Sequence, residues 1–133
     1  FVVNPRQQRG IHCRFGVAGI IAESHYDGGR NFISVVRGRR RYILSPPSQC
    51  GNLDILHSGP SSRHSATDWS NKNDYRAKLK NAKALEVVLE PGDSLYLPAW
   101  WFHLPISLTT NIQCNTRSGS PGEGGKELER CNF

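Results

Sequence analysis

The sequence predicts an all-β fold, a sandwich or barrel of short strands with one short helix. Short apolar, β-branched segments recur along the chain without a helical period. Turn-forming residues separate them, and the 133 residues include 13 glycines and 8 prolines. Many short strands joined by glycine- and proline-rich turns are typical of sandwiches and barrels.

The strands are predicted from apolar runs and their boundaries from turn residues. Asp27-Gly28-Gly29 and Pro91-Gly92-Asp93 are turn signals, and Pro46 ends a strand because proline cannot donate to a strand ladder. The predicted strands cover residues 11–21, 32–36, 41–44, 85–89, 95–97, 102–108 and 111–115.

The remaining segments are predicted to be less regular. Residues 48–72 are rich in Ser, Gly, Asn and Asp, which predicts a long loop. Asp74 is expected to cap the short helix, which runs to about Ala84. We expect residues 1–133 to form one domain with a C-terminal tail at 117–133, in which residues 126–131 form a helical turn. Because the chain begins with phenylalanine, we expect a fragment that lacks an upstream segment.

The chain is basic, with a net charge of +6 and a pI near 9.5. Arginines gather at positions 37, 39, 40 and 41 and again at 6, 9 and 14. One interpretation is a solvated strand edge, where charge opposes aggregation. The other is a nucleic-acid surface, which no accompanying motif or aromatic pattern supports. The sequence shows no membrane span and no signal peptide, and it leaves the compartment undetermined.

The four cysteines are Cys13, Cys50, Cys114 and Cys131. None forms a C-x-x-C pair, which disfavours a zinc knuckle. One or two disulfides are compatible with the count, but the count does not require them.

His25-Tyr26-Asp27 is the feature with the strongest chemical implication. Residues i and i+2 of a strand point to the same face, so the imidazole and the carboxylate can reach one point. His103 follows an aromatic run and offers a third ligand. Two histidines and a carboxylate that leave coordination positions open are typical of non-haem iron(II) oxygenases. The tripeptide alone is weak, since a lone histidine in an apolar stretch is more often a core residue.

Two longer segments resemble a known family. The first runs from Gly19 to Pro47 and contains His25-Tyr26-Asp27 and Tyr42-Ile-Leu-Ser-Pro-Pro47. The second is Pro91-Gly92-Asp93-Ser-Leu-Tyr-Leu-Pro98, followed five residues later by His103. Together they resemble the JmjC and cupin-like oxygenases, and by pattern the asparaginyl hydroxylase of the hypoxia-inducible transcription factor.

The resemblance implies a double-stranded β-helix, the cupin or jelly-roll barrel. It also implies an Fe(II)- and 2-oxoglutarate-dependent dioxygenase that hydroxylates a protein or peptide side chain. In this family His25, Asp27 and His103 match the iron ligands. Arg40 falls where the relative has a lysine that pairs with the distal carboxylate of 2-oxoglutarate, and an arginine fork can bind a carboxylate bidentately.

Other positions match polar residues around the same pocket. Asn31 and Asn115 match pocket-lining residues, or else form hydrogen bonds at strand ends. Arg63 and His64 fall where the relative contacts its substrate, or else belong to a loop anchored by Trp69.

Two differences bear on cosubstrate binding. Ala22 replaces a threonine, and the upstream tyrosine of the relative is missing, for which Tyr42 is a candidate substitute. The aromatic run Trp100, Trp101 and Phe102 is expected to shape the pocket.

The sequence supports three functions in decreasing order. The first is the oxygenase described above. The second is a non-catalytic cupin-like binding module or a subunit of a larger assembly. The third is a cupin enzyme that does not use 2-oxoglutarate, disfavoured because small cupins usually present three histidines and a glutamate. The sequence does not identify the substrate.

Overall fold

The structure is a computed structural model that describes residues 5–119 and 125–132, without the side chain of Glu127. It contains two four-stranded sheets, in which every strand pairs antiparallel to its neighbours. The strands are β1 (Ile11–Gly16), β2 (His25–Tyr26), β3 (Arg30–Arg37), β4 (Arg40–Ser45), β5 (Leu85–Leu89), β6 (Ser94–Leu97), β7 (Phe102–Ser107) and β8 (Asn111–Ser118). One sheet has the order β1-β8-β3-β6 and the other β2-β7-β4-β5, which confirms the predicted all-β fold.

The helices are short. Two 3-10 turns cover Pro5–Gln7 and Pro47–Asn52, and two α-helices, α1 and α2, cover Lys72–Lys78 and Lys126–Glu129. The prediction that Asp74 caps α1 was wrong. The Asn71 side chain accepts hydrogen bonds from the backbone N–H groups of Asn73 and Asp74, so the helix begins earlier and ends at Lys78 rather than Ala84.

The core lies where β3, β4, β5 and β6 face one another. Burial alternates along β3, as expected for a strand with one face on a core. The buried apolar side chains of this cluster are Ile33, Val35, Tyr42, Leu44, Leu89 and Leu97.

Two predicted strand ends were wrong. β1 stops at Gly16 rather than Ile21, because the backbone turns at Gly19, where φ is +85°. β8 continues past Asn115 to Ser118, because β3 and β1 pair with it on both sides. Its last residues therefore reach the end of the barrel next to β2, where Arg117 lies beside Asp27.

Gly38 makes the tight turn between β3 and β4. Its φ is +72°, and a Cβ placed there would clash with the Thr110 carbonyl oxygen. Only glycine fits this approach, which sets the start of β4 at Arg40.

Residues 48–72 are more ordered than predicted. Besides the 3-10 turn, Ile55 bridges to Ser65, and His64 bridges to His25 of β2. Leu53 and Ile55 are buried in a second apolar cluster together with Leu128 of α2.

The cysteines form two disulfides, Cys13–Cys114 and Cys50–Cys131. The first joins facing residues of β1 and β8, and the second ties the Pro47–Asn52 turn to the C-terminal segment. Cross-links that close such long loops reduce the entropy of the unfolded chain. None of the helices described is long and apolar enough to cross a membrane.

Candidate functional site

The pairing of β2 with β7 brings two histidines together. In this register His25 faces His103, although 78 positions separate them in the sequence. Their ring centroids are 4.3 Å apart. The two predicted motifs therefore meet as neighbours on adjacent strands.

Asp27 joins this pair from just beyond the end of β2. Its backbone carbonyl accepts a hydrogen bond from the Trp100 N–H at 2.8 Å, which connects the first motif to the segment before β7. Donor atoms of His25, Asp27 and His103 all lie within 4.8 Å of one another. These three residues, here called the triad, are the one such group among the residues that the structure describes.

Backbone carbonyls hold both imidazoles in a defined tautomer. The Nδ1–H of His25 donates to the Glu23 carbonyl at 2.8 Å, and that of His103 donates to the Trp101 carbonyl at 3.0 Å. A carbonyl can only accept, so each Nδ1 carries the proton and each Nε2 keeps a free lone pair. Such outer hydrogen bonds orient histidine ligands in metal sites.

Burial keeps these imidazoles neutral. It lowers the pKa of His103, which is 4 % exposed, to about 4, with a further contribution from the neighbouring His25. Burial also lowers the pKa of His25. Neutral imidazole is the form that binds a metal ion.

Arg117 contacts the triad directly, and the sequence prediction missed it. Its Nη2 lies 2.8 Å from Asp27 Oδ2, but no guanidinium N–H points at that oxygen, which stays buried without a hydrogen bond. The same Oδ2 lies 3.9 Å from His103 Nε2. Two imidazole lone pairs and a carboxylate oxygen in need of a partner fit a divalent cation.

A cavity of about 220 Å³, the inner cavity, opens beside the two histidines. It is smaller than the pockets that hold drug-sized ligands, so it suits a small acid. Its lining includes Arg40, Tyr42, Asn31, Gln113, Ala22 and Arg14.

Arg40 is the charged group buried deepest in the inner cavity. It is 8 % exposed, its guanidinium lies 5.7 Å from the Tyr42 ring centre, and it forms no ion pair with any residue that the structure describes. Its Nε is buried without a hydrogen bond. A buried guanidinium is costly without a counter-charge, so the cavity fits a carboxylate ligand.

Neutral polar groups complete this lining. Asn31 lines the cavity, whereas Asn115 lies behind it and donates to Asn31 Oδ1 at 3.2 Å. The Tyr42 hydroxyl donates to Gln113 Oε1 at 2.5 Å. Tyr42 therefore lines the cavity, but its hydroxyl proton is already donated to Gln113.

A second cavity of about 290 Å³, the outer cavity, lies on the other side of Asp27. Arg63, Trp100 and Arg117 line it, and Arg117 also lines the inner cavity. His64 stacks on His25 with ring centroids 5.1 Å apart. Both predicted substrate residues thus lie beside the triad.

The expectation for the aromatic run was wrong for two of its three residues. Trp100 lines the outer cavity, but Trp101 packs against the core between the two sheets. Phe102 is buried in the second apolar cluster, with Leu53 and Ile55. In β7 the side chains alternate, so Phe102 and His103 point to opposite faces.

A protein-family model described as "Cupin-like domain" matches residues 2–116. The chain is 36% identical over 110 residues to Lysine-specific demethylase JMJ31 of Arabidopsis thaliana, covering 75% of this chain and 20% of the relative. It is 35% identical over 102 residues to tRNA wybutosine-synthesizing protein 5 of Gallus gallus, covering 77% of this chain and 31% of the relative. The chain therefore spans about a third or less of these relatives.

The fold is similar to that of YcfD, a ribosomal oxygenase from Escherichia coli. One YcfD structure matches with a TM-score of 0.60 at 22% identity, covering 93% of this chain and 28% of that chain. Another, in complex with cobalt and 2-oxoglutarate, matches with a TM-score of 0.58 at 19% identity, covering 95% and 27%. The family match and these folds agree with the two-sheet barrel described above, and the chain belongs to the cupin-like domain family, with JmjC relatives and 2-oxoglutarate oxygenases among its structural neighbours.

Proposed function

We propose that this chain forms the catalytic domain of an Fe(II)- and 2-oxoglutarate-dependent oxygenase that hydroxylates a protein or peptide side chain. The observation that carries the proposal is the triad, whose donor atoms lie within 4.8 Å of one another. Its two histidines line the inner cavity together with Arg40, a buried arginine that forms no ion pair within the described part of the chain. Within this group of oxygenases, we propose that the chain is most similar to the asparaginyl hydroxylase of the hypoxia-inducible transcription factor.

The proposed roles follow from the contacts. His25, Asp27 and His103 hold the metal through two Nε2 lone pairs and one carboxylate oxygen. The bound metal and cosubstrate supply oxidation by dioxygen, with decarboxylation of 2-oxoglutarate to succinate. Arg40 binds the distal carboxylate of the cosubstrate, and Asn31, held by Asn115, donates hydrogen bonds from the cavity wall.

The relatives support an oxygenase without fixing its substrate. One is named a demethylase, another a protein of tRNA wybutosine synthesis, and the structural neighbour a ribosomal oxygenase. The inner cavity has the size and charge for a small dicarboxylic acid, whereas no described feature selects nucleic acid.

A second candidate is the non-catalytic cupin-like module. The ion pair between Arg117 and Asp27 favours it, because a cation of the protein itself already neutralises one proposed ligand. In that case the triad would bind divalent metal weakly or not at all.

The test combines metal binding with turnover. The purified chain is titrated with Fe(II) without oxygen, and succinate is then measured after addition of 2-oxoglutarate and air. We expect one metal per chain and slow succinate formation without substrate, both lost in His103→Ala. Metal binding without succinate, under any candidate peptide, would reject the oxygenase, and absence of both would favour the module.

A further inference from the structure

The outer cavity contains more positive charge than its own residues neutralise. Three arginines line it, Arg9, Arg63 and Arg117, from three separate parts of the chain. Asp27 is the one acidic residue among the described residues of its lining, and it already lies 2.8 Å from Arg117. Within the described residues, the guanidinium groups of Arg9 and Arg63 form no ion pair with a carboxylate.

These two arginines make few contacts of their own. Arg9 donates from Nη2 to the neutral Gly119 carbonyl at 3.3 Å. The Arg63 side chain forms no hydrogen bond or ion pair with a residue of the described ranges, and its backbone has a φ of +77°. Guanidinium groups bind carboxylates through two parallel hydrogen bonds, so both are available to an anionic ligand.

The arrangement of the charges favours one compact anion. The cavity of about 290 Å³ is walled by separate segments that contain Arg9, Gly28, Arg63, Trp100 and Arg117. The arginines thus surround a space of side-chain size rather than follow a line across the surface. A nucleic-acid strand needs a row of cations along successive phosphates, whereas an acidic side chain needs a single enclosed site.

The position of this cavity relates it to the triad. Asp27 forms part of its wall, and Arg117 lines both cavities, so a group bound here lies next to the metal ligands. A Cβ at Gly28 would lie 3.0 Å from the Trp100 ring, so the ring closely covers the backbone on this side.

We propose that the outer cavity binds an aspartate or glutamate side chain of the substrate, with Arg63 and Arg9 as specificity-determining residues. This inference rests on the proposed function, since it names the class of peptide that the oxygenase recognises. The residue to be oxidised would be that acidic residue or a close neighbour in the peptide.

The test measures binding directly by fluorescence anisotropy, with Mn(II) and 2-oxoglutarate present. The probes are a short fluorescein-labelled peptide of alternating Glu and Gly, its Gln counterpart, and a labelled oligouridylate of equal length. We expect the Glu peptide to bind about tenfold more tightly than the Gln peptide. Arg63→Gln and Arg9→Gln should each remove most of that difference. Arg39→Gln, an exposed arginine outside both cavities, should leave it unchanged.

Three outcomes would overturn the inference. They are equal binding of the Glu and Gln peptides, the same affinity in Arg63→Gln as in Arg39→Gln, and tighter binding of the oligouridylate with a steep salt dependence. Arg63 is exposed, so its variant should fold, which circular dichroism checks. Succinate formation without peptide is measured in parallel. Selective peptide binding without succinate rejects only the oxygenase, and succinate with unselective binding rejects only the acidic substrate.

Discussion

The inner and outer cavities both contain arginine, but they place it in opposite environments. Arg40 in the inner cavity is 8 % exposed with a buried, unpaired Nε. Arg63 and Arg9 in the outer cavity are exposed to solvent. Water can solvate the outer guanidinium groups, whereas the inner one has lost most of its hydration.

This difference in hydration determines how strongly each cavity is expected to favour an anionic ligand. Burying a charge without a partner costs roughly several kcal/mol of desolvation free energy. The inner cavity is therefore expected to favour an anion strongly. The outer cavity can remain solvated and gains from an anion only modestly. Under the proposed function, the inner cavity would hold the cosubstrate tightly and the outer cavity would exchange the substrate. The following predictions test that separation.

The largest effect is expected at the centre that both cavities share. His103→Ala removes one of the three proposed metal ligands. We expect Co(II) affinity to fall by at least about 100-fold, since changes outside the ligand set alone cost about 10- to 100-fold. The absorption of bound Co(II) provides the measurement. His57→Ala, an exposed histidine outside the triad, is the matched control. Retained Co(II) absorption in His103→Ala would place the metal elsewhere.

Arg40→Gln tests the inner cavity. Loss of a charge-assisted hydrogen bond should weaken 2-oxoglutarate binding by about 10- to 100-fold, measured by calorimetry on the metal-loaded protein. The 2-oxoglutarate affinity of Arg40→Lys should lie between those of wild type and Arg40→Gln, because lysine keeps the charge without the planar fork. The control is Arg41→Gln, since the neighbouring side chain pairs with Glu86 at 3.0 Å. Equal loss in both glutamine variants would show that Arg40 does not contact the cosubstrate.

His64→Ala tests the loop that borders the triad. The His64 ring stacks on His25 but lies outside the triad, so its removal weakens support for the His25 orientation without removing a proposed metal ligand. We expect metal affinity to fall by about 2- to 10-fold, from a ring contact worth about 0.5–1.5 kcal/mol. The same Co(II) titration measures it. A loss as large as that of His103→Ala would make His64 a ligand.

The smallest effect, with the opposite sign, is expected from Arg117→Gln. This change removes a cation 2.8 Å from Asp27 and leaves the carboxylate free for the metal. Because the pair is partly exposed, the gain in metal affinity should be only about 2- to 5-fold. Titration of wild type and variant at two salt concentrations checks it, and the difference should shrink at high salt. Weaker metal binding in the variant would mean that Arg117 orients Asp27 rather than competing with the metal.

The sequence predicted the triad because its signals are local. His25 and Asp27 are two residues apart, and His103 follows a recognisable turn and strand. Arg117 was missed because its approach to Asp27 depends on the register of β8 against β3. One signal was present, since Gln113, Asn115 and Arg117 alternate along β8 and share a face.

Other features of the structure could not be predicted from local sequence patterns. Asn71 and Asp74 are both suitable N-cap residues by type. The position at which the chain enters the helix makes Asn71 the cap, and the local sequence does not specify that position. The pairing of Cys13 with Cys114 follows from β1 lying next to β8, which no spacing of four cysteines specifies. His64 comes from an irregular loop, which has no period from which a contact can be inferred.

Trp100 places a limit on how stable this barrel can become. Its φ of +68° lies in the left-handed region, which costs a non-glycine residue roughly 1–3 kcal/mol. That is a sizeable share of a net stability of about 5–15 kcal/mol. The same strained residue donates the hydrogen bond that holds the Asp27 backbone. Selection for heat resistance alone would favour relaxing this position, and the resulting gain in melting temperature would come with a looser triad.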